Sequence, residues 1–263
     1  MAGVRAGSSG GGRGVLTAVR GALAFLTRLP VGGGERAWDA FRTTPVAFVV
    51  AGYVVGALVA LPHTLPVPVP TVVACYLATL YLVTGVTHVD GLGDLGDAAA
   101  VHGTAVDRRD ALEDPGTGVG GALAVGLALV ALALAGLGVA GAGPRVAARL
   151  VLAAEVSAKV GMAVLVALGS PGHEGLGSAV VGEAGGASLL PVVAAAVPAA
   201  LAAPTGATPA LVATLLAGPT VALLVGRWAT LALGGVTGDA LGAANELGRV
   251  AALHAGVIAW TLW

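Results

Sequence analysis

The sequence predicts an all-α polytopic integral membrane protein, with about seven transmembrane helices (range six to eight) and an N-terminal amphipathic helix. Three observations carry that expectation. The 263-residue chain is 57% hydrophobic and only 10% charged, against about 25% charged in a typical soluble domain. Its mean hydropathy is +0.93. Its 43 glycines stand among Ala, Val and Leu, the composition of membrane helices that approach backbone to backbone. The net charge of −1 argues against a nucleic-acid partner, which needs a basic face. The one cysteine, Cys75, lies in an apolar run, which excludes an internal disulfide framework.

Taken in order, residues 1–14 read as a flexible tail and 15–263 as a single multi-pass membrane domain. Segment 15–29 is too short to cross and carries Arg20 and Arg28, so it is expected to lie on the membrane surface. A crossing needs about 20 mostly apolar residues at about 1.5 Å each. Stretches at about 45–61, 69–87, 119–140, 146–168, 187–203, 209–234 and 249–263 give the seven, the last being short. Three polar loops lie between them, at about 88–118, 169–186 and 235–248.

Orientation follows from the basic residues. Six of the thirteen Lys and Arg (Arg5, Arg13, Arg20, Arg28, Arg36 and Arg42) precede the first span, which places the N-terminus in the cytoplasm. Counting spans then puts all three polar loops on that side, with Arg108, Arg109 and Arg249 among their charges. The expected location is the cell membrane, with the bilayer as partner and a site on the cytoplasmic face. A monomer and a homo-oligomer are both compatible with the sequence.

The richest segment is His88-Val-Asp90-Gly-Leu-Gly-Asp94-Leu-Gly-Asp97. On a helix the i, i+4, i+7 spacing sets Asp90, Asp94 and Asp97 on one face. Three ionised carboxylates there repel one another, and a membrane boundary adds a desolvation cost. A bound divalent cation removes both penalties, and an all-oxygen donor set suits Mg²⁺, or else Mn²⁺, rather than zinc. His88 reads as a ligand, a proton acceptor or a substrate contact. Asp107, Arg108, Arg109, Asp110 and Glu113 read as an amphipathic surface helix. Asp114 leads into the glycine turn 115–121, where backbone N–H groups can approach a phosphate.

The second loop carries His173 and Glu174; the third carries Asp239, Asn245 and Glu246, with the two acids at i and i+7. Within the fourth span Glu155 and Lys159 are at i and i+4 and are expected to neutralise each other. Arg227 lies about two turns before its span ends, within snorkelling reach of the boundary. Lys159 and Arg227 are also the cations available to an anionic substrate.

These residues resemble the cobalamin synthase family, the adenosylcobinamide-GDP ribazoletransferases. His88-x-Asp90-Gly-Leu-Gly-Asp94-x-x-Asp97 is similar to its HxDGLADxxD signature, Phe25-Leu-Thr-Arg-Leu-Pro30 to its FLTRLP stretch, Glu174-Gly-Leu-Gly177 to its EGLG loop, and Thr237-Gly-Asp239-Ala-Leu-Gly-Ala-Ala-Asn245-Glu246 to its TGDxLGAxxE segment. The resemblance runs from about residue 24 to the C-terminus. Two places depart from it. Asp114-Pro115-Gly116 stands where the family commonly has DSR, and Ser157-Ala158-Lys159 where it often has a Ser-Arg pair.

The resemblance implies a Mg²⁺-dependent transferase. It would join adenosylcobinamide-GDP to α-ribazole or its 5′-phosphate, giving adenosylcobalamin or its 5′-phosphate and GMP. The implied metal ligands are Asp90, Asp94 and Asp97, with His88 or an aspartate as base. Asp114, Glu174, Lys159, Arg227, Asp239, Asn245 and Glu246 are the expected substrate contacts. A CDP-alcohol phosphotransferase would need Ala-Arg after the first Asp-Gly, and here Leu92-Gly93-Asp94 follows Gly91. A transporter would gather its ionisable groups near mid-bilayer, and here the sequence puts only Glu155 and Lys159 at such depth.

Overall fold

The computed structural model describes residues 10–172, 175, 177–201 and 206–263, which form helices joined by turns, with no β-strand among them. Helix α1 (Gly10–Leu26) begins inside the expected tail. It turns Ala18, Ala22 and Leu26 inward and leaves Leu16 exposed, the two-sided pattern of a surface helix. It packs on α2 (Glu35–Arg42). Phe25, Trp38, Phe41 and Phe48 form a chain of aromatic contacts with ring centroids 4.7 to 6.0 Å apart, tying both helices to α3 (Val46–Ala60).

The remaining helices are α4 (Val69–Thr84), α5 (Thr87–Ala100), α6 (Ala105–Glu113), α7 (Val119–Gly141), α8 (Pro144–Leu168), α9 (Leu189–Leu201), α10 (Thr208–Leu233) and α11 (Gly238–Leu262). Every expected span overlaps a helix among the described residues. Among the described residues four helical stretches are each long and apolar enough to cross a membrane: Val46–Thr64, Val119–Gly141, Pro144–Leu168 and Thr208–Leu233. Helices α4 and α5 pass that test only as a pair, bent by 94°. Helix α5 therefore runs across the end of the bundle rather than along it. Helix α9 spans 13 described residues, and α11, at 25 residues, carries Asp239, Glu246 and Arg249 in its first half.

Two boundaries differ from the sequence reading. The segment 235–248 is not a loop, because α11 begins at Gly238 and the expected last span is its second half. The reason is local: Thr237 caps the helix, its hydroxyl accepting from the Ala240 N–H at 3.1 Å, and Ser/Thr at this position stabilises a helix start. The segment 88–118 likewise holds two helices. Helix α6 starts with a capping box in which Thr104 and Asp107 satisfy each other's backbone N–H, which holds the Asp107 carboxyl below its usual range.

The polar segments converge on one end of the bundle. The Arg28 N–H donates to Val83 O at 2.8 Å, and Arg42 pairs with Glu183 at 3.4 Å. Pro171 and Val236 bridge, with Gly172 N–H donating to Val236 O at 3.0 Å and Val236 N–H to Ser170 O at 2.8 Å. Helix α8 is the buried column of the bundle, packed on α3, α10 and α11.

Candidate active site

Helix α5 places the aspartate stripe, and two glycines let it approach α11. A Cβ on Gly91 would lie 2.8 Å from the Asp239 Cα, and one on Gly242 would lie 3.0 Å from the His88 carbonyl oxygen. The two backbones thus touch at both points, which brings the start of α11 against the first turns of α5. Asp90 and Asp94 line a cavity of about 380 Å³ whose opposite wall is the glycine turn and first turn of α7, including Thr117, Gly121 and Ala122. Asp90 is exposed and Asp94 half-buried. Partial burial, and then the charges of Asp239, Asp90 and Asp97, push the Asp94 carboxyl up to about 6. Four carboxylates therefore share one field. Among the described residues no three His, Cys, Asp or Glu side chains already converge as a ligand set.

Asp97 has a different place from its two neighbours. Its Oδ2 accepts from Gly118 N–H at 2.7 Å and its Oδ1 from Gly121 N–H at 2.8 Å. Both oxygens cap the start of α7, where helix amides lack intrahelical partners. The aspartate thereby latches α5 to the turn that forms the other wall of the cavity. Asp97→Asn keeps one acceptor and is expected to lower turnover about tenfold, whereas Asp97→Ala is expected to lower thermal stability by about 1–2 kcal/mol through loss of the cap. Rates and unfolding midpoints on the two purified variants check this; an unchanged midpoint for Asp97→Ala would remove the latch.

The other expected site residues fall into separate places. Asp114 is exposed and accepts from Gly116 N–H at 2.7 Å, shaping the turn before Thr117. Arg227 is exposed on α10 and borders a small, mostly apolar pocket against α8, apart from the aspartates. Glu174 lies outside the described residues.

Lys159, Asn245 and Glu246 are not at a polar surface; they lie in the interior, 0%, 0% and 3% exposed. Glu155 and Lys159 do not pair as the sequence suggested. Glu155 instead receives the Arg249 guanidinium on both oxygens, and the same guanidinium donates to Glu246 Oε2. Lys159 donates to Asn245 Oδ1, and Asn245 Nδ2 donates to Glu246 Oε1 at 2.9 Å while lying 3.4 Å from His88 Nδ1. The reason is geometric. A guanidinium fork from a facing helix meets a carboxylate in its plane, which a lysine on the next turn of the same helix cannot do.

Arg249 is the functional-site neighbour that sequence reasoning missed, having counted it as a cytoplasmic flank. Its signal was available once α11 is drawn back to Thr237, because Arg249 then lies three residues after Glu246 and four after Asn245, within side-chain reach of both. Thr117, on the cavity wall, carries no signal beyond a hydroxyl in a glycine turn.

Residues 18–257 match the model of the family described as cobalamin-5-phosphate synthase. The chain belongs to that family. Its relatives within the family include an adenosylcobinamide-GDP ribazoletransferase of Haloquadratum walsbyi, 52% identical over 94% of this chain and 100% of that one. Another, of the same name, from Halorubrum lacusprofundi is 52% identical over 94% of this chain and 99% of its own. One from Methanocella arvoryzae is 33% identical over 95% and 97%. No solved structure matches the chain. Family membership also sets aside the CDP-alcohol phosphotransferase and transporter readings.

Proposed function

We propose that this protein is an adenosylcobinamide-GDP ribazoletransferase, joining adenosylcobinamide-GDP to α-ribazole or its 5′-phosphate and releasing GMP. The observation that carries the reading is the cavity between α5 and α7, where Asp90 and Asp94 face the glycine turn in a chain whose family relatives bear that name. A hydroxyl of the ribazole attacks the phosphorus attached to cobinamide, the bond from that phosphorus to the GMP oxygen breaks, and the hydroxyl proton leaves to a base. Such transfers depend on positioning and on neutralising the phosphate oxygens.

The donor set fits a hard divalent cation. The carboxylates share one field, and Asp94 is pushed up by partial burial and then by its neighbours' charge, the strain that Mg²⁺ relieves. Asp90, Asp94 and Asp239 would hold it, with Asp97 kept to its latch. Bound there, Mg²⁺ supplies positive charge against the pyrophosphate oxygens. The Thr117 hydroxyl, on the cavity wall, would hydrogen-bond a phosphate oxygen there, in place of the missing serine of the DSR motif. With the N-terminus inside, this end of the bundle faces the cytoplasm, where nucleotide substrates are made.

Membranes containing the protein, supplied with Mg²⁺, adenosylcobinamide-GDP and α-ribazole, test the reading: cobalamin and GMP should appear in equal amounts. The absence of both in active-site-intact membranes would end it. The same assay has a pH signature. Asp94 sits up at about 6, so below that pH a proton competes with the cation, and above it the carboxylate is free. Half-saturating Mg²⁺ is therefore expected to rise up to about tenfold per unit of pH below about 6 and to level off above about 7. A flat requirement would remove Asp94 from the ligand set.

A further inference from the structure

We infer that Asn245, oriented by Lys159 and Glu246, fixes His88 as a hydrogen-bond donor through its Nε2–H, so that His88 is not the base that deprotonates the nucleophile. The part of this that concerns catalysis rests on the ribazoletransferase reading; the proton position on the ring does not.

Both ends of the Asn245 amide have a fixed partner. Asn245 is fully buried, so its oxygen and its nitrogen must each find partners inside the protein. The oxygen receives the Lys159 amine, whose ammonium offers only donors. The nitrogen donates to Glu246 Oε1 at 2.9 Å, and the carboxylate of Glu246, paired with Arg249, offers only acceptors. Reversing the amide would set donor against donor on one side and acceptor against acceptor on the other. Its orientation is therefore decided by two independent partners on two helices, α8 and α11.

An amide nitrogen carries two hydrogens. One goes to Glu246, and the other meets His88 Nδ1 at 3.4 Å. Nδ1 must then be the bare, accepting nitrogen. In a neutral imidazole the proton is consequently on Nε2. His88 is itself 8% exposed and clamped where its carbonyl meets Gly242, so the ring has little freedom to turn over. A histidine held this way offers only an N–H at its remaining nitrogen and cannot accept a proton there. The base falls to the carboxylates that line the cavity. Lys159 and Asn245 are positioning residues in this scheme, and touch no substrate.

Glutamine and asparagine separate the two ring nitrogens. Gln reaches the place of Nε2 with an N–H donor, whereas Asn reaches only the place of Nδ1. His88→Gln is expected to lose about tenfold in kcat, and His88→Asn about a thousandfold, the scale of losing one oxyanion donor. In ¹⁵N spectra of histidine-labelled protein in detergent, the bare nitrogen of His88 should be Nδ1. In Asn245→Asp, whose carboxylate accepts where the amide donated, it should become Nε2, with kcat falling and KM for adenosylcobinamide-GDP little changed.

Equal loss in His88→Gln and His88→Asn, or a wild-type spectrum with the proton on Nδ1, overturns the assignment. The wild-type spectrum decides the proton position even where a variant does not fold. A protein without transferase activity but with a bare Nδ1 would refute the proposed function and leave the tautomer standing.

Discussion

Asp94→Asn is expected to reduce ribazole transfer by about a thousandfold or more while raising, not lowering, the melting temperature of the metal-free protein at neutral pH. The rate follows from its position. Asp94 lines the cavity with Asp90 and is the carboxylate that feels Asp239, Asp90 and Asp97 together. On the proposed reading, removing it would take a negative ligand from a phosphoryl-transfer cation, and such electrostatic contacts are among the largest single contributions to catalysis. The stability change follows from the same field. A carboxyl pushed up to about 6 from 3.8 is less comfortable ionised in the folded chain than in the unfolded one. It takes up protons more readily when folded, so its penalty is absent below about pH 4, grows through the interval, and is complete above about 6. An uncharged amide escapes that penalty, so the gain should be seen at pH 7 and vanish at pH 4. Opposed effects on rate and stability mark a site strained for function. Turnover with Mg²⁺ supplied, and thermal unfolding with chelator at the two pH values, measure the two effects separately; near-normal Mg²⁺-dependent turnover would remove Asp94 from the site.

The sequence made the membrane fold legible because apolar stretches of span length need no tertiary information. The Asp90–Asp94–Asp97 stripe was legible because helical spacing is local, and the structure puts all three on α5. What the spacing could not tell is which of them faces the cavity. Asp97 is drawn off by the amides of Gly118 and Gly121, more than twenty residues on. The Glu155–Lys159 pair failed for a related reason. A local i, i+4 rule assumes that nothing better is near, and Arg249, on another helix, was better. The break at Thr237 was readable as an N-cap, yet the charges after it looked like a loop because they are rare inside spans. Glu246 and Arg249 are tolerated in the interior because they pair with each other and with Glu155, while Asp239 stays part-exposed at the start of the helix.

Arg249→Met is expected to prevent accumulation of folded protein. The Arg249 side chain is fully buried between Glu155 on α8 and Glu246 on α11, and losing it leaves two buried carboxylates against the single charge of Lys159 in a low-dielectric interior. Breaking such a pair by removing one partner costs about 3–5 kcal/mol, which is much of the total stability of an ordinary domain. Arg249→Lys should rescue only in part, since one ammonium cannot donate to both carboxylates in the geometry a guanidinium offers. The decisive comparison is Glu155→Gln, Lys159→Met, Glu246→Gln and Arg249→Met combined. With no buried charge left unpaired, the quadruple variant should recover much of the yield and melting temperature that Arg249→Met loses. It should still be catalytically poor, because Glu246 no longer fixes the Asn245 amide that meets His88. Yield of monodisperse protein in detergent, its unfolding midpoint and its turnover separate these outcomes. A folded, active Arg249→Met would mean that α8 and α11 are held by their apolar packing alone. A folded but inactive quadruple variant would assign the buried charges to holding α11 in register with α5, the contact on which Asp239, Asn245 and His88 all depend.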